Sequence, residues 1–284
     1  MLDKKIALVM EGGDLRGAYT AGALTWLIDN GIEFSSSYGI STGAFYLCNY
    51  LTKDKDFLYD CSIDGVTDKR YMFLPALLRC GKIVDYDFLF NHILIKEKHM
   101  DLSPLKELDR EGYIGLYDLS LGKTIYKSTR EIDINLLKAA ASLPILGKLV
   151  RYGDKEYFDG GITDMIPIEQ AIKDGCEKFL IITTKPETYV RKPAKKPIVK
   201  LMKALSPQCP QISKDYEIRH INYNKQMDLI RDLSAQKKAL FCFPSKESKV
   251  TRLGGSRQQL QELFDLGYSD MENRKQSLFD LLND

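Results

Sequence analysis

The segment YGISTGAF, residues 38–45, places a serine between two glycines where a predicted strand changes into a predicted helix. Residues 35–40 are small-sided and predict the strand, and residues 42–52 predict the helix. The same order occurs once before, because the apolar run 6–10 predicts a buried strand and 17–30 predicts a helix that ends at an Asn-Gly pair. A strand–helix–strand–helix order is typical of a parallel sheet with right-handed crossovers, so the segment belongs to an α/β fold.

The rest of the chain contains further strands and helices in a less regular order. Strands are predicted at 113–119, 123–129, 155–158 and 178–184, with a β-like piece at 239–243. Helices are predicted at 86–95, 134–142, 168–174, 213–237 and 256–283. We expect the last two helices to be long and to pack on the sheet.

Composition restricts the class of protein. The chain has 284 residues, 44% of them apolar, and a formal net charge of +2, so it can form a sizeable core and carries no global charge that favours nucleic acid. Six cysteines without a CxxC pair are typical of reduced thiols in a cytosolic protein. The N-terminal apolar run is too short for a signal peptide, and no stretch approaches the roughly 20 apolar residues that cross a bilayer. We expect a cytoplasmic protein that makes, at most, peripheral contact with a membrane.

A second glycine-rich turn, EGGDLRG at 11–17, also follows a predicted strand and precedes a predicted helix. Backbone N–H groups at such a helix start bind anionic oxygen. A phosphate-binding P-loop would need Lys and then Ser or Thr after the last glycine, where Ala18 and Tyr19 stand. A dinucleotide fingerprint would need glycine at Asp14, whose carboxylate repels a pyrophosphate, although Glu33 lies near the spacing of a ribose ligand. An oxyanion hole and a plain turn both remain consistent with the loop.

Ser41, at the centre of the quoted segment, has the context of a nucleophile elbow, a sharp strand-to-helix turn that lifts a hydroxyl above the sheet. The flanking glycines tolerate such a turn, and the positive end of the following helix points at the reacting centre. A GxSxG pattern occurs by chance in about one chain in ten of this length, so a small residue in a tight loop is the competing interpretation. The preceding strand and the earlier glycine-rich turn favour the nucleophile.

A serine nucleophile needs a proton acceptor, and two candidates stay open. His220 would complete a Ser–His–Asp esterase, but it lies in a polar helical stretch typical of an exposed residue. Asp159 follows a short predicted strand and precedes two glycines, so its carboxylate would sit on a turn, where desolvation raises its basicity. An ordinary Asp-Gly turn is the competing interpretation for Asp159.

Together these motifs resemble the patatin-like phospholipase family, particularly its bacterial members. EGGDLRG, GISTG and DGG follow one another in the family's order, and the segments near the third motif are also similar: ASLPI at 141–145, YFDGGITDMIPIEQAIKDG at 157–175 and FLIITTKP at 179–186. The resemblance covers roughly residues 5–190 and, more loosely, the C-terminal helices. Each motif is weak alone, but the combination is specific.

The resemblance implies a three-layer α/β/α fold with a mostly parallel central sheet. It implies a single patatin-like domain over residues 1–284, with a core at about 5–190 and C-terminal helices at about 213–283 that pack on it. The implied reaction is hydrolysis of a lipid acyl ester, in a phospholipid or a neutral lipid, through an acyl-serine, without a metal ion or an organic cofactor. Ser41 would be the nucleophile and Asp159 the base.

The same resemblance assigns roles to residues around this dyad. The oxyanion hole would be formed by Gly12, Gly13 and Asp14, and the supporting motif residues would be Arg16, Gly17, Gly39, Gly43 and Gly160.

Asp14 is a departure from the family pattern, because the family usually has a third consecutive glycine there. Glycine adopts a positive φ without cost, whereas Asp does so at some cost. An inward carboxylate would weaken an oxyanion hole, unless Arg16 pairs with it and neutralises it. A non-catalytic lipid-binding module with an impaired oxyanion hole therefore stays open, as does an esterase that uses His220.

Two segments outside the motifs favour contact with lipid. The stretch 185–203 contains seven Lys or Arg, one Glu and three Pro, and 185–205 would bind an anionic membrane. A solvated loop and a surface helix explain the same composition. The aromatic-rich segment 57–95 would cap an acyl pocket or form a packed helical subdomain. The apolar side chains that would enter the bilayer are those of Ile198, Val199, Leu201, Met202 and Leu205.

Overall fold

The centre of the fold is one mixed sheet, seen in a computed structural model that describes residues 6–207 and 209–283. Its order is β5-β6-β3-β2-β1-β7-β8, and β4 pairs with β3 outside that path. Four pairings, β1–β2, β1–β7, β2–β3 and β7–β8, are parallel. The strands are β1 Ile6–Met10, β2 Ser36–Ile40, β3 Glu111–Asp118, β4 Lys123–Ser128, β5 Val150–Tyr152, β6 Lys155–Asp159, β7 Lys178–Ile182 and β8 Ala239–Cys242.

Helices cover both faces of this sheet, which confirms the predicted three-layer α/β/α class. The α-helices are α1 Ala18–Asp29, α2 Thr42–Thr52, α3 Lys55–Asp60, α4 Phe73–Cys80, α5 Tyr86–Phe88, α6 Ile134–Ala141, α7 Ile168–Lys173, α8 Lys196–Leu205, α9 Gln211–Ala235, α10 Arg257–Asn273 and α11 Lys275–Asn283. Short 3₁₀ segments lie at Asp14–Gly17, Lys69–Tyr71, Ser103–Glu107, Thr129–Glu131 and Gly160–Ile162, and π-helical segments at Cys61–Gly65 and Leu89–Glu97.

Most predicted elements occur within a few residues of their predicted bounds, and two differ. The predicted helix 86–95 is a short α-helix continued by the π-helical segment Leu89–Glu97. The predicted single helix 256–283 is wrong, because α10 and α11 are separate and meet at Arg274. The Arg274 guanidinium turns back to donate to the Asp270 carbonyl (2.9 Å) and lies over the ring of Phe243.

Two apolar layers enclose the sheet, and β1 shows how they divide. Leu8 and Met10 belong to the layer shared with α1, α2, α6 and α10, whereas Ala7 and Val9 belong to the layer shared with α7 and α9. Successive side chains of a strand point to opposite faces, so a strand covered on both sides is apolar throughout. This explains why the run IALVM is continuous rather than alternating.

Strands β2 and β6 meet against one edge of β3, because β4 occupies the other edge. β2 runs parallel to β3, and its last residue, Ile40, pairs with Gly115. β6 runs antiparallel to β3, and its last residue, Asp159, pairs with Leu116, the next residue along β3. The carboxyl ends of β2 and β6 therefore converge at one point of the sheet.

The C-terminal helix α10 packs closely on α1, the helix that follows the first glycine loop. A Cβ on Gly22 would lie 1.9 Å from the Phe264 carbonyl oxygen, and a Cβ on Gly267 would lie 2.0 Å from the Tyr19 carbonyl oxygen. Only glycine at both positions permits the backbones to approach this closely. The Tyr19 hydroxyl also donates to the Asp270 carboxylate across this contact (3.0 Å).

Replacing Gly267 with alanine is expected to lower the free energy of unfolding by about 3 kcal/mol, because the added methyl group forces the two helices apart. Gly65→Ala is the matched control, since a Cβ there has its nearest neighbour at 3.6 Å, an ordinary contact. Urea denaturation followed by circular dichroism measures both variants. Equal midpoints for Gly267→Ala and Gly65→Ala would contradict the close contact of α1 with α10.

Candidate active site

Ser41 lies on a strained turn between β2 and α2. Its φ is +55° and its ψ −124°, a conformation that L-residues rarely adopt outside functional turns. Its carbonyl accepts hydrogen bonds from the amides of Ala44 (3.0 Å) and Phe45 (3.1 Å), so the first turn of α2 holds the residue in place. The Ser41 side chain is buried and lines a cavity.

Small residues around Ser41 leave room for this turn. A Cβ on Gly39 would lie 2.5 Å from the Gly43 carbonyl oxygen, and a Cβ on Gly43 would lie 2.8 Å from the Glu11 carbonyl oxygen. A Cβ on Gly12 would lie 2.8 Å from the Cβ of Ser41. The two glycine-rich loops therefore pack directly against each other, which explains why both turns need glycine.

Asp159 ends β6 and lies in the same cavity as Ser41. One carboxylate oxygen accepts the Gly161 amide (2.7 Å), and the backbone amide of Asp159 donates to the Ser142 carbonyl (2.8 Å). Gly160 allows this turn to press on β3, since a Cβ there would lie 2.7 Å from the carbonyl carbon of Gly115.

Burial raises the pKa of the Asp159 carboxyl to about 6. The Ser41 hydroxyl, the Gly161 amide and the charge of Arg219 each lower the pKa by favouring the ionised form, but desolvation is the larger effect. A carboxylate with such a pKa accepts a proton more readily than an exposed one and is still ionised at pH 7. The structure thus brings together a buried hydroxyl and a buried, unusually basic carboxylate.

The loop Gly12–Asp14 offers backbone N–H groups beside Ser41, and not all of them are free. The Gly12 amide already donates to the Met165 carbonyl (3.3 Å). The amides of Gly13 and Asp14 have no acceptor among the described residues. Two donors next to a buried hydroxyl can stabilise a developing oxyanion.

Asp14 adopts a φ of +51°, the conformation in which glycine would be strain-free. Its carboxylate pairs with Arg252, with 2.5 Å between Oδ2 and Nε. The residue that neutralises Asp14 is therefore Arg252, and not Arg16, whose pairing with Asp14 the sequence had left open. The partner is 238 residues away in sequence and comes from the loop before α10.

Two further side chains stabilise the turns, those of Glu11 and Arg219. The sequence analysis did not identify either as a site residue. Glu11 accepts hydrogen bonds from the Thr184 amide (2.6 Å) and hydroxyl (2.9 Å) and forms a buried ion pair with Lys185. Burial works to raise the pKa of Glu11, but Lys185 and Thr184 outweigh it and hold the pKa below its ordinary value. On α9, Arg219 donates from Nε to the Gly161 carbonyl (2.5 Å) and so supports the Asp159 turn.

Two cavities meet at Ser41. An apolar cavity of about 110 Å³ and a polar cavity of about 300 Å³ share Asp14, Ser41 and Arg252. The apolar cavity is lined by side chains from α2 and from the segment 57–95, among them Phe45, Tyr46, Val66, Met72, Val84 and Phe90. The polar cavity contains Asp159. An acyl chain on one side of Ser41 and a polar group on the other would both be accommodated.

Other predicted features lie away from this centre. His220 interacts through its ring with the Glu217 carbonyl and lines neither cavity. Lys185 and Met202 are buried, whereas Ile198 and Leu201 are exposed, and the side chain of Leu205 lies outside what the structure describes.

Two kinds of feature are absent from residues 6–207 and 209–283, a cluster of metal-binding side chains and a membrane-spanning helix. In those residues, His, Cys, Asp and Glu side chains do not gather in groups of three or more that would hold a metal ion. No helix in that part of the chain has the length and apolar character needed to cross a membrane.

Comparison with known proteins places the chain among similar sequences without assigning it to one family. Residues 209–283 match a family model described as a domain of unknown function, DUF6363. The chain is 27% identical over 190 residues to the uncharacterized protein YjjU of Escherichia coli strain K12, an alignment that covers 64% of this chain and 52% of YjjU, so it spans about half of that relative. It is 28% identical over 207 residues to the probable lipid hydrolase 463L of Invertebrate iridescent virus 6, covering 64% of this chain and 71% of that protein.

A solved structure with a similar fold is VipD from Legionella pneumophila. The TM-score is 0.52 at 13% sequence identity, with 99% of this chain and 67% of the VipD chain covered. At this identity the likeness concerns the fold alone, and it agrees with the α/β class described above.

Replacing Asp159 with asparagine is expected to stabilise the fold above about pH 6. The pKa of the Asp159 carboxyl is about 6 in the folded protein, higher than in the unfolded chain. Ionisation of this carboxyl therefore opposes folding. Once Asp159 is fully ionised, the free energy of unfolding is lower by about 2–3 kcal/mol. This cost is absent below the unfolded pKa of about 4. The variant keeps an oxygen that accepts the Gly161 amide and should unfold at a higher urea concentration than the wild type at pH 8, but not at pH 4.

Asp118→Asn is the matched control for this measurement, because its expected effect on the free energy of unfolding has the opposite sign. Burial works to raise the pKa of Asp118, but hydrogen bonds from Ser120, Leu121 and Lys155 hold it below its ordinary value. Its variant should lose stability at pH 8, and the difference from the wild type should shrink as the pH falls through the folded pKa. If Asp159→Asn is no more stable than the wild type at pH 8, desolvation does not raise the pKa of Asp159 in the folded protein.

Proposed function

We propose that the protein is a lipid acyl hydrolase that cleaves an ester through a dyad of Ser41 and Asp159. The observation that carries this proposal is the convergence of a strained, buried serine and a buried carboxylate of raised pKa at the point where an apolar cavity opens. The viral relative named a probable lipid hydrolase supports the same class of reaction. The fold shared with VipD is compatible with it.

In the proposed mechanism, the Asp159 carboxylate accepts the proton of the Ser41 hydroxyl as the oxygen attacks the ester carbonyl. The amides of Gly13 and Asp14 donate to the oxyanion that develops, each contributing about 3 kcal/mol to lowering the barrier. Collapse of this intermediate breaks the bond to the alcohol, which leaves with the proton from Asp159. Asp159 then takes a proton from water, the hydroxide attacks the acyl-serine, and the fatty acid departs as Ser41 is protonated again.

The Asp14 carboxylate does not prevent this chemistry, because Arg252 neutralises it. The backbone of Asp14 has the positive φ of the glycine it replaces, so its amide remains available. The Asp14–Arg252 pair therefore weakens the case for a non-catalytic lipid-binding module. His220 has no contact with Ser41 or Asp159, which weakens the case for a histidine-based esterase.

Ser41→Ala and Asp159→Asn are each expected to lower kcat for a long-chain ester by about a thousandfold or more, because nucleophile and base act as a unit. Hydrolysis of a monoacylglycerol in mixed micelles measures the rates. A fluorophosphonate probe should label the wild type and leave Ser41→Ala unlabelled.

His220→Ala is the control for this experiment and should hydrolyse the ester at the wild-type rate. If His220→Ala loses activity and Asp159→Asn keeps full activity, the Ser41–Asp159 dyad is rejected and a mechanism with His220 as the base is supported. Absence of labelling and of turnover in the wild type would identify a non-catalytic module.

We propose further that α4 delivers the protein to a lipid bilayer. α4 belongs to an excursion closed at its base by the bridge between Met72 and Val84, and both of these residues line the apolar cavity at Ser41. The large apolar side chains of α4 are exposed to solvent: Phe73 by 48%, Leu74 by 64%, Leu77 by 54% and Leu78 by 78%.

A bilayer is the occupant that fits this surface, because Met72 and Val84, at the base of the excursion that carries α4, line the apolar cavity that ends at Ser41. Insertion of α4 would bury its leucines favourably and would bring the bilayer next to the residues that close the cavity. The stretch 185–205 offers less for this purpose, since Lys185 and Met202 are buried.

The double variant Leu77→Glu/Leu78→Glu is expected to stop sedimenting with phosphatidylcholine–phosphatidylglycerol vesicles and to keep wild-type activity on a soluble short-chain ester. Binding of the wild type should persist at 1 M salt, where electrostatic attachment through 185–205 would be screened. Leu121→Glu, equally exposed at 54% on the β3–β4 turn, is the matched control and should still sediment. Vesicle binding by the double variant, or a wild-type dimer that the double variant abolishes, would overturn the assignment.

A further inference from the structure

The polar cavity beside Ser41 contains more positive than negative side chains. Its cationic residues are Arg16, Lys185, Arg191, Arg219 and Arg252, and its carboxylates are Glu11, Asp14 and Asp159. Two of these cations form ion pairs inside the cavity: Lys185 pairs with Glu11, and Arg252 pairs with Asp14.

Three arginines of the cavity remain without a carboxylate partner. Among the residues that the structure describes, no Asp or Glu oxygen lies within 4.0 Å of the guanidinium of Arg16, Arg191 or Arg219. Even with Asp159 ionised, the cavity therefore keeps a surplus of two positive charges. Arg219 is buried, and Arg16 and Arg191 are half-buried. Removing an unpaired cation from water is costly, so the surplus points to an anionic ligand.

Arg219 gives the strongest indication of a ligand. The residue is only 8% exposed, its Nε is used by the Gly161 carbonyl, and its Nη1 has no hydrogen-bond partner. Burial and, after it, the like charge of Arg191 lower the pKa of Arg219 to about 10. Arg16 likewise has a buried Nε without a partner. Both side chains have donors that an oxyanion in the cavity would satisfy.

We propose that this cavity binds a phosphate monoester, a dianion, on the alcohol side of the ester that Ser41 cleaves. The surplus of two positive charges matches a terminal phosphate and does not match a zwitterionic headgroup, whose cation the arginines would repel. Guanidinium groups donate in pairs to phosphate oxygens, and the cavity of about 300 Å³ adjoins the apolar cavity that would take the acyl chain. This inference rests on the proposed ester hydrolysis at Ser41.

The proposal gives a role to the C-terminal region that matches a family of unknown function. Arg219 on α9 and Arg252 before α10 both lie within residues 209–283. Arg219 contributes to the cavity while supporting the Asp159 turn, and Arg252 neutralises Asp14. The region would thus be part of the active site and select the leaving group.

Three oleoyl esters that differ only in the alcohol test the proposal: 1-oleoylglycerol 3-phosphate, 1-oleoylglycerophosphocholine and 1-oleoylglycerol, at equal mole fraction in neutral mixed micelles. The wild type is expected to have a kcat/KM at least about tenfold higher for the phosphate monoester. Arg191→Gln, which removes one cavity cation without touching the Asp159 turn, should lower the ratio of kcat/KM for the phosphate monoester to kcat/KM for the neutral ester by about tenfold. Lys192→Gln, an exposed neighbour with the same charge change, should alter neither.

A binding measurement separates this inference from the proposed function. Ser41→Ala protein is titrated by calorimetry with glycerol 3-phosphate and with inorganic phosphate, with and without Arg191→Gln. Arginine-dependent binding of glycerol 3-phosphate supports the subsite even if no ester is hydrolysed, in which case only the proposed hydrolysis fails. Equal binding of inorganic phosphate, without a preference for the phosphate ester, would assign the cavity to free phosphate and overturn the leaving-group proposal. No binding that depends on Arg191 would overturn the subsite itself.

Discussion

The register of β3 is the constraint on which the candidate site depends. Ile40 and Asp159 pair with consecutive residues of β3, so this register brings the carboxyl ends of β2 and β6 next to each other. The contact is close enough that β3 carries glycine there: a Cβ on Gly115 would lie 2.1 Å from Cδ1 of Ile40. A shift of β6 by one residue would turn the Asp159 side chain to the other face of the sheet. The distance between hydroxyl and carboxylate is thus set by strand pairing rather than by a flexible loop.

The residues that meet there are individually unfavourable, and the surrounding structure compensates for them. Ser41 and Asp14 both have positive φ, and Asp159 keeps a carboxylate in a place where burial opposes its charge. Each such feature costs of the order of 1–3 kcal/mol. The Glu11–Lys185 pair ties the first glycine loop to the end of β7, and two apolar layers hold the sheet between helices. Strain of this kind persists only where neighbouring elements fix the backbone.

The sequence was informative where local geometry decides the structure. The first four elements follow from apolar runs and glycine positions, because a strand buried on both faces and a glycine in a tight turn leave a pattern within a few residues. The partners of the charged residues left no such pattern. Arg252 and not Arg16 neutralises Asp14, and Arg219 reaches Gly161 from a helix 58 residues away. Such pairings depend on the path of the C-terminal helices over the sheet, which periodicity does not specify.

Those long-range pairings also change how the chain should be divided. The motifs that resemble a known family end near residue 190, and the matched region of unknown function begins at 209. A boundary drawn there would separate Arg219 from the turn it supports and Arg252 from the carboxylate it neutralises. It would also separate Gly22 from α10, although the close packing of α10 is the reason that position 22 has no room for a side chain. The C-terminal region therefore packs on α1 and supplies arginines to the same cavity, so that in the proposed hydrolysis the N-terminal motifs would provide the reacting groups and the C-terminal region would set their charge and position.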